Sequence, residues 1–132
     1  MEEIGIESTL VESIKNGDKT IEALLGEPRF LRIQEDDIVS IREDFWYEGE
    51  ILESLPHALE VKITQVLYFE SFKEMFETMD FQAVIPTAKD VDEAVKACKK
   101  LYTSEEEREY GVVALSFELI LSYFNLSQHE RD

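Results

Sequence analysis

Asn16-Gly17-Asp18-Lys19-Thr20-Ile21-Glu22 is the stretch on which the fold turns. A glycine closes a short helical pattern and a strand-like run follows at once, which predicts a helix-to-strand corner. Alternation along the run sends Lys19 and Ile21 to one side and Thr20 and Glu22 to the other. An ammonium, a hydroxyl and a carboxylate thus gather within a few residues of the corner, where a small polar ligand can be held. On local sequence alone, a solvated turn leading into an ordinary strand is the commoner meaning of such residues.

Upstream of the corner, Thr9 and Glu12 have capping-box spacing, and Leu10, Val11 and Ile14 give the short helix an apolar face. Downstream, strand-like residues 19–24 are interrupted by Gly26-Glu27-Pro28, and Phe30, Leu31 and Ile33 tuck a loop or short helix onto the core. Residues 37–42 read as a second strand. Residues 43–57 carry acids, Gly49, Pro56 and the lone tryptophan, and are expected to form a long loop or irregular hairpin tip. Trp46 and Tyr47 suit either stacking on a base or covering the open end of a barrel, and the cover is favoured.

Residues 58–69 form the clearest strand: Leu59, Val61, Ile63, Leu67 and Phe69 alternate with Glu60, Lys62, Thr64 and Tyr68, with a break at Gln65 that marks a bulge or polar site. Ser71 and Glu74 begin a helix with Phe72, Met75, Phe76 and Met79 on one face. After Pro86, Asp90 and Glu93 begin a second helix, whose buried face comprises Val91, Ala94, Val95, Cys98 and Leu101. Cys98 reads as a small apolar filler. Ser104 to Glu107 predicts a short acidic helix ended by Tyr110-Gly111, and residues 112–119 alternate again as a strand. Ile120 to Leu126 extend that strand or turn into a helix, and a loose tail follows from Ser127 to Asp132. One α+β domain over 1–132, with its core near 8–119, is expected.

With 30 acids against 13 bases, the net charge is −17. Neutralising nucleic-acid phosphates takes Lys and Arg, so coating of long DNA or RNA is excluded. A small pocket can still be locally basic, because salt screens beyond about 8–10 Å. Lys15, Lys19, Arg29, Arg32 and Arg42 concentrate bases in the first third. One cysteine leaves no internal disulfide, and His57 and His129 lie too far apart in sequence for a zinc motif. No cofactor or metal is expected, and no apolar run approaches the ~20 residues of a membrane span. A cytoplasmic location follows as the expectation.

Gly17 to Glu22 resembles the Gly-x-Lys-Thr-x-Glu signature of the ASCH domain, a PUA-like family linked to RNA. Further points of resemblance follow in order: Tyr68 with Ser71-Phe72, Pro86, Ser104 to Glu107, and Tyr110-Gly111-Val112. The resemblance covers roughly residues 8 to 119. It implies a small mixed or antiparallel β-barrel flanked by two to four helices. Two departures stand out. Ala23-Leu24 replaces a frequent Gly-Arg, removing a pocket arginine, and Asp36-Asp37 replaces Gly-Asp. Arg29 or Arg32 are the candidates to restore that charge.

Three functions follow. The resemblance implies a binding module for a small nucleoside, nucleotide or single RNA base, with Lys19 on a phosphate or carbonyl oxygen and Thr20 and Glu22 on a base edge; Arg29, Arg32 and Tyr68 complete the ligand-binding set. Similar small ASCH proteins instead hydrolyse the amide of acetylated cytidine through a Lys-Thr-x-Thr corner. Lys19 matches that lysine, but the last threonine is Glu22 here, so Lys19 and Glu22 would be the catalytic pair of a different arrangement. The distant glutamate of that subgroup has no placed counterpart. An acidic protein-interaction adaptor is the third alternative.

Overall fold

The computed structural model describes residues 1–122 and has five strands and six helices. In chain order these are β1 (Glu3–Glu7), α1 (Ser8–Lys15), β2 (Ile21–Leu25), α2 (Pro28–Leu31), β3 (Ile38–Tyr47), β4 (Glu50–Phe69), α3 (Phe72–Thr78), α4 (Phe81–Val84), α5 (Val91–Lys99), α6 (Ser104–Tyr110) and β5 (Val112–Ser122). The strands form one sheet of order β1-β3-β4-β5-β2. β1 pairs with β3 in parallel and every other pairing is antiparallel. The sheet is open: β1 and β2 end it as separate edges, so the expected closure into a barrel is not seen. The expected loose tail at 127–132 lies outside the described residues.

Period-two alternation supplies both faces of the sheet at once. Val113, Leu115 and Phe117 join Val39, Ile41, Leu59, Val61 and Ile63 in one core, on which α1 lays Val11 and Ile14. Val112 and Ala114, with Ile21, Ala23 and Leu25 of β2, face the other way and take Phe72, Met75 and Phe76 of α3 and Ala94 and Cys98 of α5. β2 therefore runs along a helix-covered edge. Gly26 ends it where chain meets chain: its amide donates to Gly111 O at 3.0 Å, and a Cβ there would stand 2.5 Å from the Tyr110 carbonyl oxygen.

Several local expectations differ in detail. Glu3–Glu7 forms β1, an unexpected strand in which Ile4 and Ile6 alternate with exposed Gly5 and Glu7. Thr9 does not cap α1; its hydroxyl donates to Glu7 Oε1, and the helix starts at Ser8. The capping box of α6 sits one residue earlier than Ser104, on Thr103 and Glu106, because Glu107 turns inward. Ser71 accepts from the Glu74 amide as expected, although the Glu74 carboxylate reaches back to Glu70 N instead. The Gln65 break is a bulge against β5. Leu101 lies past the end of α5 and is exposed.

Residues 43–57 take the hairpin alternative and not the long loop, and they are mostly strand. β3 and β4 continue as a paired ribbon to a two-residue turn at Glu48-Gly49, both with positive φ, as a type I′ hairpin requires. Register shifts between Ile41 and Glu43 and between Phe45 and Trp46 break the alternation, which explains why it cannot be read through. Trp46 and Tyr47 stand exposed near the tip and cover no barrel end.

Buried polar residues anchor the base of this ribbon. Asp44 accepts from Arg42 Nε at 2.7 Å and Nη2 at 3.0 Å, and from Ser54 Oγ at 2.7 Å. Ser40 Oγ lies 2.9 Å from His57 Nδ1, and Ser8 Oγ donates to Glu43 at 2.8 Å. Burial works to raise the Asp44 carboxyl, but the hydrogen bonds from Arg42 and Ser54 and the Arg42 charge outweigh it and hold the carboxyl below its ordinary range. A depressed folded value gives stability that is complete above the unfolded value of about 3.9 and is lost as pH falls through the lower folded value. Asp44→Asn is therefore expected to melt below the wild type at pH 6, with the gap narrowing steadily toward pH 2. Melting curves that stay parallel across that range would rule out this ionic anchor.

Candidate functional site

At the corner after α1, the backbone is pinned before any side chain acts. Lys19 N donates to Ser13 O at 3.0 Å, Thr20 N to Ala83 O at 2.9 Å, and Phe117 N donates to Thr20 O at 3.0 Å. The helix end, α4 and β5 thus meet on two consecutive residues. The Lys19 side chain then runs toward the helices and is buried, with 1 % of its surface exposed. Its Nζ donates to Ile21 O at 2.6 Å and Val84 O at 2.7 Å, and pairs with Glu22 Oε1 at 3.3 Å. An ammonium has three donors, and all three are used.

Glu22 reaches this ammonium from the far side of the strand because β2 is an edge, with only β5 beside it. Its Oε1 also accepts from Ala23 N at 3.0 Å. Oε2 has no hydrogen-bond partner among the described residues, and the side chain keeps 14 % of its surface exposed. The result is a carboxylate fixed through one oxygen and open at the other. Burial, then the charge of Glu22, pushes the Cys98 thiol up to about 12, with Lys19 opposing. Burial and then Glu22 likewise raise the Tyr102 phenol. Cys98 is thus a protonated core thiol, as its place in the helix pattern predicts, and Tyr102 is a protonated phenol within the field of Glu22.

Immediately after Val84, whose carbonyl holds Lys19, a groove of about 320 Å³ opens between Ile85, Thr87 and Ala88 on one side and Glu93 and Lys96 of α5 and Lys100 just after it on the other. Of the predicted site residues, the structure brings Lys19 and Glu22 together and leaves the Thr20 side chain exposed beside them. The others have different surroundings. Arg29 lies 4.2 Å over the Phe30 ring and 3.9 Å from Glu27. Arg32 lines a separate cavity of about 330 Å³ with Met1, Glu2 and Asp37. Tyr68 is exposed on β4 opposite Val113. Leu24 itself is core.

Tyr102 and the carbonyls of Ile21 and Val84 escaped the sequence reading. Backbone acceptors carry no side-chain signature, and Tyr102 lies in the connection after α5, outside any periodic pattern.

Similar structures exist under different designations. A hypothetical protein designated PH0355 shares 34% identity, with 91% of this chain and 100% of that chain covered and a TM-score of 0.77. Protein PF0455 from Pyrococcus furiosus shares 28% identity over 90% of this chain and 96% of that one, with a TM-score of 0.68. No curated protein matches significantly. The ASCH domain profile matches residues 4–121. That span holds the sheet from its first strand to its last and the whole lysine–glutamate corner, and the chain belongs to the ASCH domain family.

Proposed function

We propose that this chain is a binding module for a small nucleotide or a single RNA base, read at the Glu22 carboxylate. The observation that supports this is the open Oε2 of Glu22, on a carboxylate whose other oxygen is already fixed by Lys19 and Ala23 N. Such an acceptor suits an exocyclic amine or ring N–H of a guanine-like or cytosine-like edge. Thr20 and Tyr102 offer hydroxyls nearby. The phosphate falls to the groove beside Lys96 and Lys100, since Lys19 has no donor to give it. The same use of the Lys19 donors weighs against amide hydrolysis, which asks that ammonium to stabilise an oxyanion. No helix among the described residues is long and apolar enough to cross a membrane. We also read the sheet, packed on α1 with β1 and β2 as free edges, as an open variant of the PUA-like barrel.

The test is a thermal-shift panel of nucleosides, nucleoside monophosphates and acetylated cytidine, with ligand recovered by chromatography. Ligand at 100 times its Kd stabilises by about 2.7 kcal/mol. A shift is expected with guanine or cytosine compounds, larger for the monophosphate, and absent in Glu22→Gln. Recovery of cytidine and acetate from acetylated cytidine would replace binding with hydrolysis. No shift with any compound would favour the adaptor alternative.

A further inference from the structure

A carboxylate grips a base only by its edge, and the flat body of the base needs a second partner. Tyr102 has the position for that role. It lies between α5 and α6, where Leu101 N and Tyr102 N both donate to Cys98 O, at 3.0 and 3.2 Å, and Thr103 caps α6 at once. The backbone on either side is therefore fixed. The Tyr102 ring packs on the core lined by Ile21, Ala23 and Leu25, so it shares the helix-covered side of β2 with the Lys19 ammonium.

Phe72 stacks on one face of this ring, with centroids 5.6 Å apart and planes 10° from parallel. Phe72 is fully buried, and its amide donates to Glu107 of α6 at 2.9 Å. A further planar group can join the stack only from the other face of Tyr102, which is half-buried and keeps surface toward solvent where Phe72 keeps none. After burial, the charge of Glu22 is the largest influence on the Tyr102 phenol, so the carboxylate acts close to the ring. An aromatic face holds any base by its π surface and is indifferent to the edge, whereas a carboxylate selects the edge and ignores the face. We infer, resting on the Glu22 reading proposed above, that Tyr102 is the stacking platform for the base whose edge Glu22 holds, so that the base extends the Phe72–Tyr102 stack as its third member. The ring of Tyr102, and not its hydroxyl, is then the part that binds.

The probes are guanosine and cytidine monophosphates, titrated into the full chain. In the wild-type complex, nuclear Overhauser contacts are expected between base protons and Tyr102 ring protons, with the base protons moved upfield by the ring current. Tyr102→Phe keeps the ring and is expected to stay within about threefold of the wild-type affinity, whereas Tyr102→Leu loses about tenfold. The wild-type contacts need no variant, so they decide the matter if Tyr102→Leu fails to fold. Their absence from a complex that Glu22→Gln abolishes would overturn the platform and leave the Glu22 reading standing. Wild-type affinity in Tyr102→Leu would do the same, as would a loss in Tyr102→Phe equal to that in Tyr102→Leu, which would assign the effect to the hydroxyl. No binding of either monophosphate to the wild type would remove the Glu22 reading and the platform together.

Discussion

Lys19→Ala is expected to lower the free energy of unfolding by about 3–5 kcal/mol, as breaking a buried ion pair from one side does. Three acceptors lose their donor together: Ile21 O, Val84 O and Glu22 Oε1. Water cannot readily replace the ammonium, since the side chain is enclosed by β2 and the helices. The loss should appear as a lower urea midpoint at unchanged slope. Lys19→Met fills the volume but still strands the acceptors, so it should recover little. Adding Glu22→Gln to Lys19→Met removes the uncompensated charge and should recover part of the loss, giving a measurable coupling between the two sites. A cost below about 1 kcal/mol for Lys19→Ala would mean that the ammonium behaves as a surface charge, and the open carboxylate built on it would lose its support.

Glu107→Ala carries the second large effect, about 1.5–3 kcal/mol, the range for a buried hydrogen bond to a charged group. Glu107 Oε2 accepts the Phe72 amide at 2.9 Å, and Oε1 lies 3.5 Å from Lys99 Nζ. One carboxylate on α6 therefore caps the start of α3 and reaches the end of α5. Phe72 is fully buried and its ring stacks on Tyr102 at 5.6 Å between centroids. Loss of the cap is expected to loosen that stack, so the near-ultraviolet circular dichroism should weaken while the far-ultraviolet signal holds. Glu107→Gln keeps an acceptor and should recover at least half of the stability. If alanine and glutamine variants matched the wild type, the Phe72 amide would have to be satisfied by water.

The sequence is legible where one period runs unbroken. Phe72, Met75, Phe76 and Ala94, Cys98 announce their helices, and Val113, Leu115 and Phe117 announce β5, because each apolar residue recurs on its face without interruption. The ribbon is illegible for the opposite reason. Extra residues in β4 opposite Arg42 and between Glu53 and Ile51 shift the register, and half of the ribbon's apolar residues face solvent, so no period survives. β1 was obscured by its brevity: Ile4 and Ile6 alone carry its pattern. The corner shows both outcomes within four residues. Lys19 and Glu22 could be picked out by type and spacing. Their union could not, because alternation puts them on opposite sides and only the free edge of β2 lets Glu22 fold back to the ammonium. Closure of the sheet was equally beyond reach, since whether β1 and β2 pair depends on sheet curvature, which no local residue encodes.

The sheet order also sets a schedule for the growing chain. β3 and β4 adjoin in sequence and meet through a two-residue turn, so their pairing closes a short loop and can form early. β2 must wait. Its partner, β5, pairs Ile21 with Ser116, so the strand that positions Lys19 is made before β3, β4 and α2 to α6 and is completed only after them. Until then, Ile21, Ala23 and Leu25 have no sheet neighbour, although α3 and α5, which cover them, are already made. The nascent protein therefore passes through an interval in which the partners of its most buried lysine are all made while the strand beside it still lacks its sheet neighbour, and the last strand of the sheet to be made completes that edge.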